Sequence, residues 1–380
     1  MWPLIVKCWQ RFRKTACFPE AACCRLCLCV CFLLSQGMID WRCDILAYSP
    51  RGRVLLDVKG KKIVLVGHYG SGNYGDDMML QALIDEYSGS AASVTVVFFN
   101  DQTIGIDLKG GRSVLIRRDN KLKMLSEWVK VLWANDLVIW GGGTCFTDEE
   151  GDGFFLGMLV ARFFRKDFAY RSVGIGNLVR LSRKVKAYLL LRLCSYVSFR
   201  EESSIAAAVK LLGYKSKYCV CEEDLGERYL RGLSLDASSA PEFVPYIVVA
   251  WRDLSAYQGG HQIDQLLDFL RGLIKNFSNR VVILDVDNSV DAEINNVIES
   301  RLKEQAGLNV LRSKGLSFSA KNSLIASAAV VVTARLHIGV AAINFSVPVY
   351  IYPYSPKISY AFSDCSADFH ILDFSPHLDS

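Results

Sequence analysis

The 380-residue sequence lacks an apolar run long enough to cross a membrane. Its best candidate, residues 26–34, is far shorter than the roughly 20 apolar residues that a spanning helix needs, and Arg25 interrupts it. Basic residues precede this stretch, as they do in a signal peptide or a short membrane anchor. Residues 1–60 are therefore a leader with three open interpretations: a signal or anchor, a monotopic helix with or without acylation, or an unstructured, mis-started segment ahead of Met38.

Outside this leader the sequence has too few cysteines for a disulfide framework. Eight of the 13 cysteines precede residue 44, and the other five are scattered and odd in number. This distribution predicts reduced thiols in a cytoplasmic protein. The pattern C-C-x-x-C-x-C-x-C from Cys23 to Cys31 lacks a separated second ligand pair, so buried cysteines are favoured over a metal site. No metal site is predicted in the chain.

The chain also lacks the concentrated positive charge of a nucleic-acid-binding protein. Its formal net charge is only +5, and Lys and Arg are distributed along the sequence. This balance suits small acidic ligands, and no nucleic-acid partner is predicted. Hydrophobic residues make up 51% and charged residues 22%, a composition that argues against long disorder. A chain of 380 residues is expected to form two domains.

Short β-branched runs alternate with amphipathic stretches from Lys61 onward, which indicates βαβ units around parallel sheets. A loop at residues 234–242, rich in Ser and Ala, separates two such series. The sequence predicts an α/β protein with two Rossmann-like, doubly wound domains, at residues 61–233 and 243–380. The predicted strands span residues 63–66, 94–99, 137–140, 172–175, 196–199, 246–250, 281–285, 328–333 and 347–352.

A glycine-rich loop follows the first predicted strand. Gly70, Gly72 and Gly75 satisfy G-x-G-x-x-G, a pattern that lets backbone N–H groups meet a pyrophosphate. Asp76 and Asp77 would lie at the start of the following helix, predicted at residues 78–87, where they would repel that ligand. No suitable ribose-binding acid follows about 20 residues later. A dinucleotide site is therefore disfavoured, and a glycine turn with an aspartate cap is its structural alternative.

Three successive glycines, Gly141, Gly142 and Gly143, follow a buried strand. They could form an anion-binding nest of backbone N–H groups, or they could permit close packing of strand and helix. Arg200 and Arg252 follow one strand in each half, where ligands of such sheets bind. A surface pair between Arg200 and the glutamates after it is the alternative, and Ser203 or Ser204 could cap the next helix.

The segment from Thr333 to Ala342 places Arg335 and His337 where an apolar strand passes into a small-residue helix. A buried arginine needs an anionic partner, and no acidic residue occurs between Glu304 and Asp364. We therefore expect Arg335 and His337 to contact an anionic ligand, although a core histidine is the common alternative. Lys357 adds a third cation.

These motifs together resemble polysaccharide pyruvyl transferases, from about residue 61 to about residue 360. The resemblance implies a glycosyltransferase-B-like fold, phosphoenolpyruvate as the donor and a ketal linkage to two hydroxyls of one sugar. It assigns donor binding to Arg335 and His337 and, on a weaker match, to Arg200, with Leu336 as a further substrate-binding residue. The family usually has Asp-Glu where Asp76-Asp77 stands here, and the insert at residues 148–153 is unusually acidic. The motifs are G-x-G-N-Y-G-D (70–76), G-G-G (141–143), F-R-E-x-S (199–203), R-L-H (335–337) and V-P-V followed by Y-x-P-K.

Phosphoenolpyruvate carries a phosphate and a carboxylate, so its site needs several convergent cations. Arg335, His337, Arg200, Arg252 and Lys357 are the candidates, with Gly72, Asn73, Gly142 and Gly143 as further substrate-binding residues. His337 is the candidate acid, and Asp76 or Asp148 the candidate base. No cofactor is predicted, and the expected acceptor is a glycan or lipid-linked oligosaccharide. The expected location is the cytoplasm or, with peripheral membrane association, the inner face of the cytoplasmic membrane. The open alternatives are a nucleotide-sugar-dependent glycosyltransferase and a non-catalytic sugar-binding relative.

Overall fold

The computed structural model describes residues 56–100, 105–148, 151–213, 219–233, 245–254, 262–287, 290–304, 307–354 and 369–373. All of them belong to one compact unit that begins at Val54. The leader up to residue 55, the predicted linker at residues 234–242 and Lys357 lie outside the described residues.

The first half of this unit is built on an eight-stranded sheet of order β3-β2-β1-β4-β6-β7-β8, with β5 beside β6. Every strand pair in it is parallel. Its strands are β1 (Lys62–Val66), β2 (Ser93–Phe98), β3 (Arg112–Leu115), β4 (Leu137–Gly141), β5 (Thr144–Phe146), β6 (Asp167–Ile175), β7 (Tyr196–Phe199) and β8 (Cys219–Cys221).

The second half is built on a six-stranded parallel sheet of order β11-β10-β9-β12-β13-β14. In both sheets the central strands are continuous apolar runs because helices cover both faces. The strands are β9 (Ile247–Ala250), β10 (Arg280–Leu284), β11 (Asn309–Ser313), β12 (Val330–Thr333), β13 (Val349–Ile351) and β14 (Phe369–Ile371).

The helices of the described residues divide between the two halves. In the first half they are α1 (Tyr74–Tyr87), α2 (Lys121–Ala134), α3 (Phe155–Phe163), α4 (Leu181–Leu193), α5 (Glu202–Leu212) and α6 (Leu225–Gly232). In the second half they are α7 (Gln262–Asn276), α8 (Ala292–Lys303), α9 (Phe318–Ala326) and α10 (Leu336–Asn344). None of these helices is both long and apolar enough to cross a membrane.

Helix α1 lies on the opposite face of the first sheet from α2 to α5. Helix α1 connects β1 to β2, towards the β3 edge of the sheet, whereas α2 to α5 connect strands in the direction of the β8 edge. Because crossovers between parallel strands are right-handed, helices that connect strands in opposite directions lie on opposite faces. Accordingly α1 packs against α6, and α2, α3, α4 and α5 pack in succession.

Helix α1 also joins the two halves. Tyr74 and Met78, in its first two turns, are buried in one core cluster with residues of the second sheet. The backbone N–H of Tyr74 donates to the carbonyl of Val286 at 2.9 Å, and its hydroxyl donates to Oδ1 of Asn322 at 2.5 Å. The carboxyl ends of strands from both sheets therefore meet around the start of α1.

The predicted fold class, an α/β protein with two parallel doubly wound sheets, is confirmed. The domain boundaries at residues 61–233 and 243–380 stay predictions. Helix α1 begins at Tyr74, four residues earlier than predicted, because the Asn73 side chain accepts a hydrogen bond from the Gly75 N–H. The predicted serine cap after β7 is wrong, since α5 begins at Glu202 and Ser204 instead accepts from the Ile175 N–H.

Candidate functional site

The starts of three helices converge on the imidazole of His337. His337 is the second residue of α10, and its ring lies between Gly75 and Gly226, the second residues of α1 and α6. A Cβ atom at position 75 would lie 2.1 Å from His337 Nδ1, and one at position 226 would lie 3.3 Å from Cδ2. Position 75 therefore needs glycine, whereas a Cβ atom at position 226 would make a tight contact that a shift of a few tenths of an ångström relieves. Because helix starts carry partial positive charge, the ring lies in a field that favours anions.

A carboxylate faces the other nitrogen of this ring. Oδ1 of Asp224 lies 3.6 Å from Nε2 of His337, an ion-pair distance slightly too long for a hydrogen bond. The same carboxylate caps α6 by accepting from the Gly226 N–H at 2.8 Å. Burial raises the pKa of Asp224, but His337, Arg200 and the Gly226 N–H together hold it well below its usual value. Asp224 is therefore an anion beside the imidazole.

Arg200 extends this arrangement into the first sheet. Its guanidinium donates to Oδ2 of Asp224 at 3.0 Å and to Oγ1 of Thr144 at 2.9 Å. Its side chain is almost fully buried, so the pairing is not the exposed Arg–Glu contact that was the alternative. Arg200, Asp224 and His337 thus form a continuous chain of ionisable groups across the two halves.

Arg335 pairs with a protein carboxylate that is distant in sequence. The Arg335 guanidinium bonds to Oδ1 of Asp291, which is fully buried and lies 44 residues upstream. Asp291 precedes the stretch between Glu304 and Asp364 that contains no acidic residue, so the pairing is long-range. Arg335 keeps one buried donor, Nε, without a hydrogen-bond partner. Contact of Arg335 with an anionic ligand stays a prediction.

A second group of charges surrounds the start of α1. The amide of Asn73 donates to Oδ2 of Asp287 at 3.4 Å, which links the glycine loop to the second half. Burial, together with the charges of Asp76 and Asp287, raises the pKa of Asp77 to about 7, although the Gly70 N–H and Lys321 lower it. Oδ1 of Asp77 is buried without a hydrogen-bond partner. Burial also lowers the pKa of Lys321, against the pull of the surrounding aspartates.

A family comparison decides the classification of the chain. The model of the family described as polysaccharide pyruvyl transferase matches residues 73–356, which include Gly75, Arg200, Asp224, Arg335 and His337. The chain belongs to this family. A comparison with curated proteins gives no match.

Solved structures show the same fold at low sequence identity. UDP-GlcNAc 2-epimerase from Methanocaldococcus jannaschii is 12% identical and has a TM-score of 0.56, with 82% of this chain and 88% of that chain covered. The S. aureus MnaA–UDP co-structure is 14% identical, with a TM-score of 0.54 and coverage of 77% and 79%. Anabaena Alr3699/HepE in complex with UDP and glucose is 14% identical, with a TM-score of 0.52 and coverage of 82% and 85%. These likenesses establish a two-domain, glycosyltransferase-B-like fold.

The three glycines of this pyruvyl transferase family member differ in their surroundings. A Cβ atom at Gly142 would collide with Met79 of α1, and the Gly142 N–H already donates to the Arg171 carbonyl. Close packing therefore explains Gly142 better than an anion-binding nest. Gly143, at φ +73°, faces Asp76, whose Oδ1 would lie 3.8 Å from a Cβ there. Asp76 directly follows Gly75, against which the His337 ring packs.

The structure does not bring Asp148 to His337 by any contact among the described residues. Its Oδ2 accepts hydrogen bonds from the N–H groups of Val179 and Arg180, at 2.8 and 2.9 Å, and so holds a turn. Desolvation raises the pKa of Asp148, but these two hydrogen bonds outweigh it and lower the value below normal. A catalytic role for Asp148 stays a prediction.

The remaining predicted residues lie at strand or helix ends. Arg252 follows β9, whose Ala250 pairs with Thr333 of β12, so Arg252 and Arg335 leave neighbouring strands in register. Arg252 donates to the Tyr354 hydroxyl at 2.7 Å. Leu336 is the first residue of α10, and Gly72 is buried in the glycine loop at φ +74°.

Sequence reasoning missed Asp224 and Asp291, the two carboxylates that hold the predicted cations. Asp224 follows β8, a strand of only three residues that is too short to stand out from its surroundings. A signal was present nonetheless, because the run Glu222-Glu223-Asp224 directly precedes the helix and Asp is a preferred cap.

Proposed function

We propose that the chain transfers the pyruvyl group of phosphoenolpyruvate to two hydroxyls of one sugar in a polysaccharide or lipid-linked saccharide. The observation that carries the proposal is the convergence of three helix starts on His337, with Asp224 beside it. The family membership supports the same reaction class. Cys145, Cys194 and Cys221 are free thiols, which fits the cytoplasmic location that we propose.

The donor would bind at the start of α10. Two of the three helix starts are capped by side chains, α1 by Asn73 and α6 by Asp224, whereas no side chain of the described residues caps α10. Its first N–H groups, which include that of Leu336, are therefore suited to a phosphate or carboxylate oxygen. The spare Nε of Arg335 adds a charged donor next to them, because Arg335 is the residue that precedes α10.

His337 would act as the acid. In the protonated state the imidazole gives its proton to the methylene carbon of the donor, and the adjacent carbon becomes oxocarbenium-like. A sugar hydroxyl attacks that carbon, phosphate leaves with the electron pair of its C–O bond, and a second hydroxyl closes the ketal. The two sugar hydroxyls lose one proton each. One of these protons returns to His337, which gave its own to the new methyl group, and the other leaves on phosphate. Asp224 would stabilise the imidazolium, and in this proposal Asp76, the residue after Gly75, accepts a hydroxyl proton.

The test combines phosphoenolpyruvate labelled with ¹³C in its pyruvyl carbons and a panel of 4-nitrophenyl hexosides, with product masses and phosphate release measured together. We expect label in the sugar product and one phosphate released for each sugar modified. His337→Ala should lower turnover by roughly 10²-fold or more. His370→Ala, on the edge strand β14 of the same half, is the matched control and should retain wild-type turnover. Phosphate release without label in any sugar would contradict the proposal.

A nucleotide-sugar-dependent glycosyltransferase is the second candidate. The observation that favours it is the shared fold with the S. aureus MnaA–UDP co-structure and with Methanocaldococcus jannaschii UDP-GlcNAc 2-epimerase in complex with UDP-GlcNAc and UDP. The same panel distinguishes the two, because UDP-hexoses would add a hexose to the acceptor, whereas phosphoenolpyruvate would add a pyruvyl ketal.

A further inference from the structure

Three successive helices of the first half present large apolar side chains to solvent. On α2, Leu122 is 79% exposed and Trp133 is 72% exposed, with Leu125 between them on the same helix face. On α3, Leu156 is 59% exposed and Phe163 is 46% exposed, seven residues apart and hence on one face. Such side chains scattered singly would need no explanation, but here they form a stripe on each helix.

The stripes belong to one continuous surface. Helices α2, α3 and α4 pack side by side, and the Trp128 indole of α2 donates to the Gly157 carbonyl of α3 at 3.0 Å. The ring of Trp133 meets that of Phe164, directly after α3, at 6.1 Å between centroids. Helix α4 continues the surface with exposed Leu181 and Tyr188. We call this outer face of α2, α3 and α4 the outer helix surface.

The outer helix surface is also strongly basic. Helix α2 contains three lysines and one glutamate, α3 contains one arginine, and α4 contains four basic residues and no acidic residue. Two of the basic residues of α4, Lys186 and Arg183, pair with Asp152, and Lys130 pairs with Glu127 of its own helix. Lys121 and Lys123 flank Leu122 and are exposed. The basic residues thus exceed the acidic ones that face them.

We infer that the outer helix surface binds an anionic lipid bilayer. Exposed Leu, Trp and Phe side chains among lysines are the combination that inserts into the headgroup region while the charges meet anionic lipids. A purely polar partner would not bury the apolar side chains of the stripes. A neutral apolar partner would not provide negative charge for the lysines. The surface lies on the opposite face of the first sheet from α1, so binding would leave the region around His337 uncovered.

Hydroxyl-radical footprinting of the full chain localises the contact. The probe is a vesicle of phosphatidylcholine with or without about one third phosphatidylglycerol, a fraction that makes the surface clearly anionic. We expect oxidation of Leu122, Trp133 and Phe163 to fall several-fold only with the anionic vesicles. Phe277 and Leu311, two other exposed apolar residues, in the second half, are internal controls and should not change. Unchanged oxidation at the three residues, or protection confined to other segments, overturns the inference.

Variants test the same contact by sedimentation with these vesicles. Lys121→Glu with Lys123→Glu should lower vesicle affinity by well over tenfold, because each basic residue near an anionic surface contributes about fivefold and a reversed charge adds repulsion. Lys314→Glu, an exposed lysine of the second half, is the control for an added acidic charge. Raising the ionic strength should weaken binding of the wild type. If concentrated protein shows the same protection without vesicles, the surface is a contact between copies of the chain and the lipid inference fails.

Discussion

The imidazole of His337 occupies the space that a side chain at position 75 would need, with Nδ1 only 2.1 Å from the place of a Cβ atom. The third glycine of the G-x-G-x-x-G motif is therefore explained by a residue of the other half of the chain. Gly75 also follows the cap of α1 and does not adopt a positive φ, so its backbone would accept another residue. The requirement for glycine at this position is steric and comes from His337.

Gly75→Ala should displace His337 without unfolding the chain. Alanine is favoured over glycine in a helix by about 1 kcal/mol, so the helix itself gains stability. Displacement of a catalytic group by about 1 Å can cost on the order of 10²-fold in turnover. We expect a loss of this size in pyruvyl transfer with little change in melting temperature. Gly89→Ala is the control, since no atom lies within 4 Å of its Cβ position. Wild-type turnover of Gly75→Ala would contradict the catalytic assignment of His337.

Asp224→Asn should remove the negative charge beside His337 while keeping a side chain of the same size at the start of α6. Asparagine caps helices about as well as aspartate, so the start of α6 should persist, but the imidazolium of His337 loses its neighbouring anion. We expect turnover to fall roughly 10²-fold, with a smaller change in the KM for phosphoenolpyruvate. Asp119→Asn, an exposed aspartate, is the control. Unchanged turnover in a folded Asp224→Asn variant would show that the charge of Asp224 has no catalytic role.

A double-mutant cycle tests whether Arg335 binds the donor or only pairs with Asp291. Arg335→Gln alone leaves Asp291 buried without its cation and should cost roughly 3–5 kcal/mol of unfolding free energy. Adding Asp291→Asn removes the buried charge and should restore most of that loss. If Arg335 binds the donor, the KM for phosphoenolpyruvate stays raised in the stable double variant. Recovery of both stability and KM would show that Arg335 only holds Asp291. Urea denaturation and steady-state kinetics provide the two measurements.

The sequence was sufficient for the strand pattern and for most strand-end residues. Central strands such as β1 and β12 are apolar, mostly β-branched runs between helix-period segments. Their predicted bounds therefore agree with the observed bounds within one or two residues. Strands β3, β5, β8, β11 and β14 were missed because they are short, at sheet edges, or polar on one side. Strand β6 was predicted five residues too short because Arg171 lies within it.

The pairing of side chains across the chain was beyond sequence reasoning. Asp291 reaches Arg335 from a helix start upstream, and nothing in the spacing of the two residues indicates contact. Asp224 and His337, in addition, come from different halves. Local patterns record which residues follow a strand, whereas the tertiary arrangement of the helices and strands decides which of them meet. For the same reason the G-x-G-x-x-G motif alone does not reveal the role of its glycines. Gly75 leaves space for the imidazole of His337, which is far away in the sequence.

The buried Arg171 provides a prediction about stability. Its side chain is fully buried, and its guanidinium donates to Glu222 at 2.8 Å and to Glu86 at 3.0 Å. Glu222→Ala removes one of these two partners and should cost roughly 3 kcal/mol, because the buried guanidinium then keeps only Glu86 as an anionic partner. Glu304→Ala, at an exposed helix end, should change the unfolding free energy by less than about 0.5 kcal/mol. Denaturation midpoints of the two variants test this, and equal small effects would contradict it.

Asp77 predicts an unusual dependence of stability on pH. Burial, the largest cause, together with the charge of Asp76 raises its pKa to about 7 in the folded chain, from about 3.9 in an unfolded one. The folded state therefore holds a proton that the unfolded state releases, and the stability from this group falls as pH rises from about 4 to about 7. Asp77→Asn keeps the shape but cannot ionise. It should stabilise the fold at pH 8 by up to about 4 kcal/mol and change it little at pH 4. Urea denaturation across this range, with Asp119→Asn as the exposed control, measures the difference, and a variant whose stability parallels the wild type throughout would show that Asp77 ionises normally.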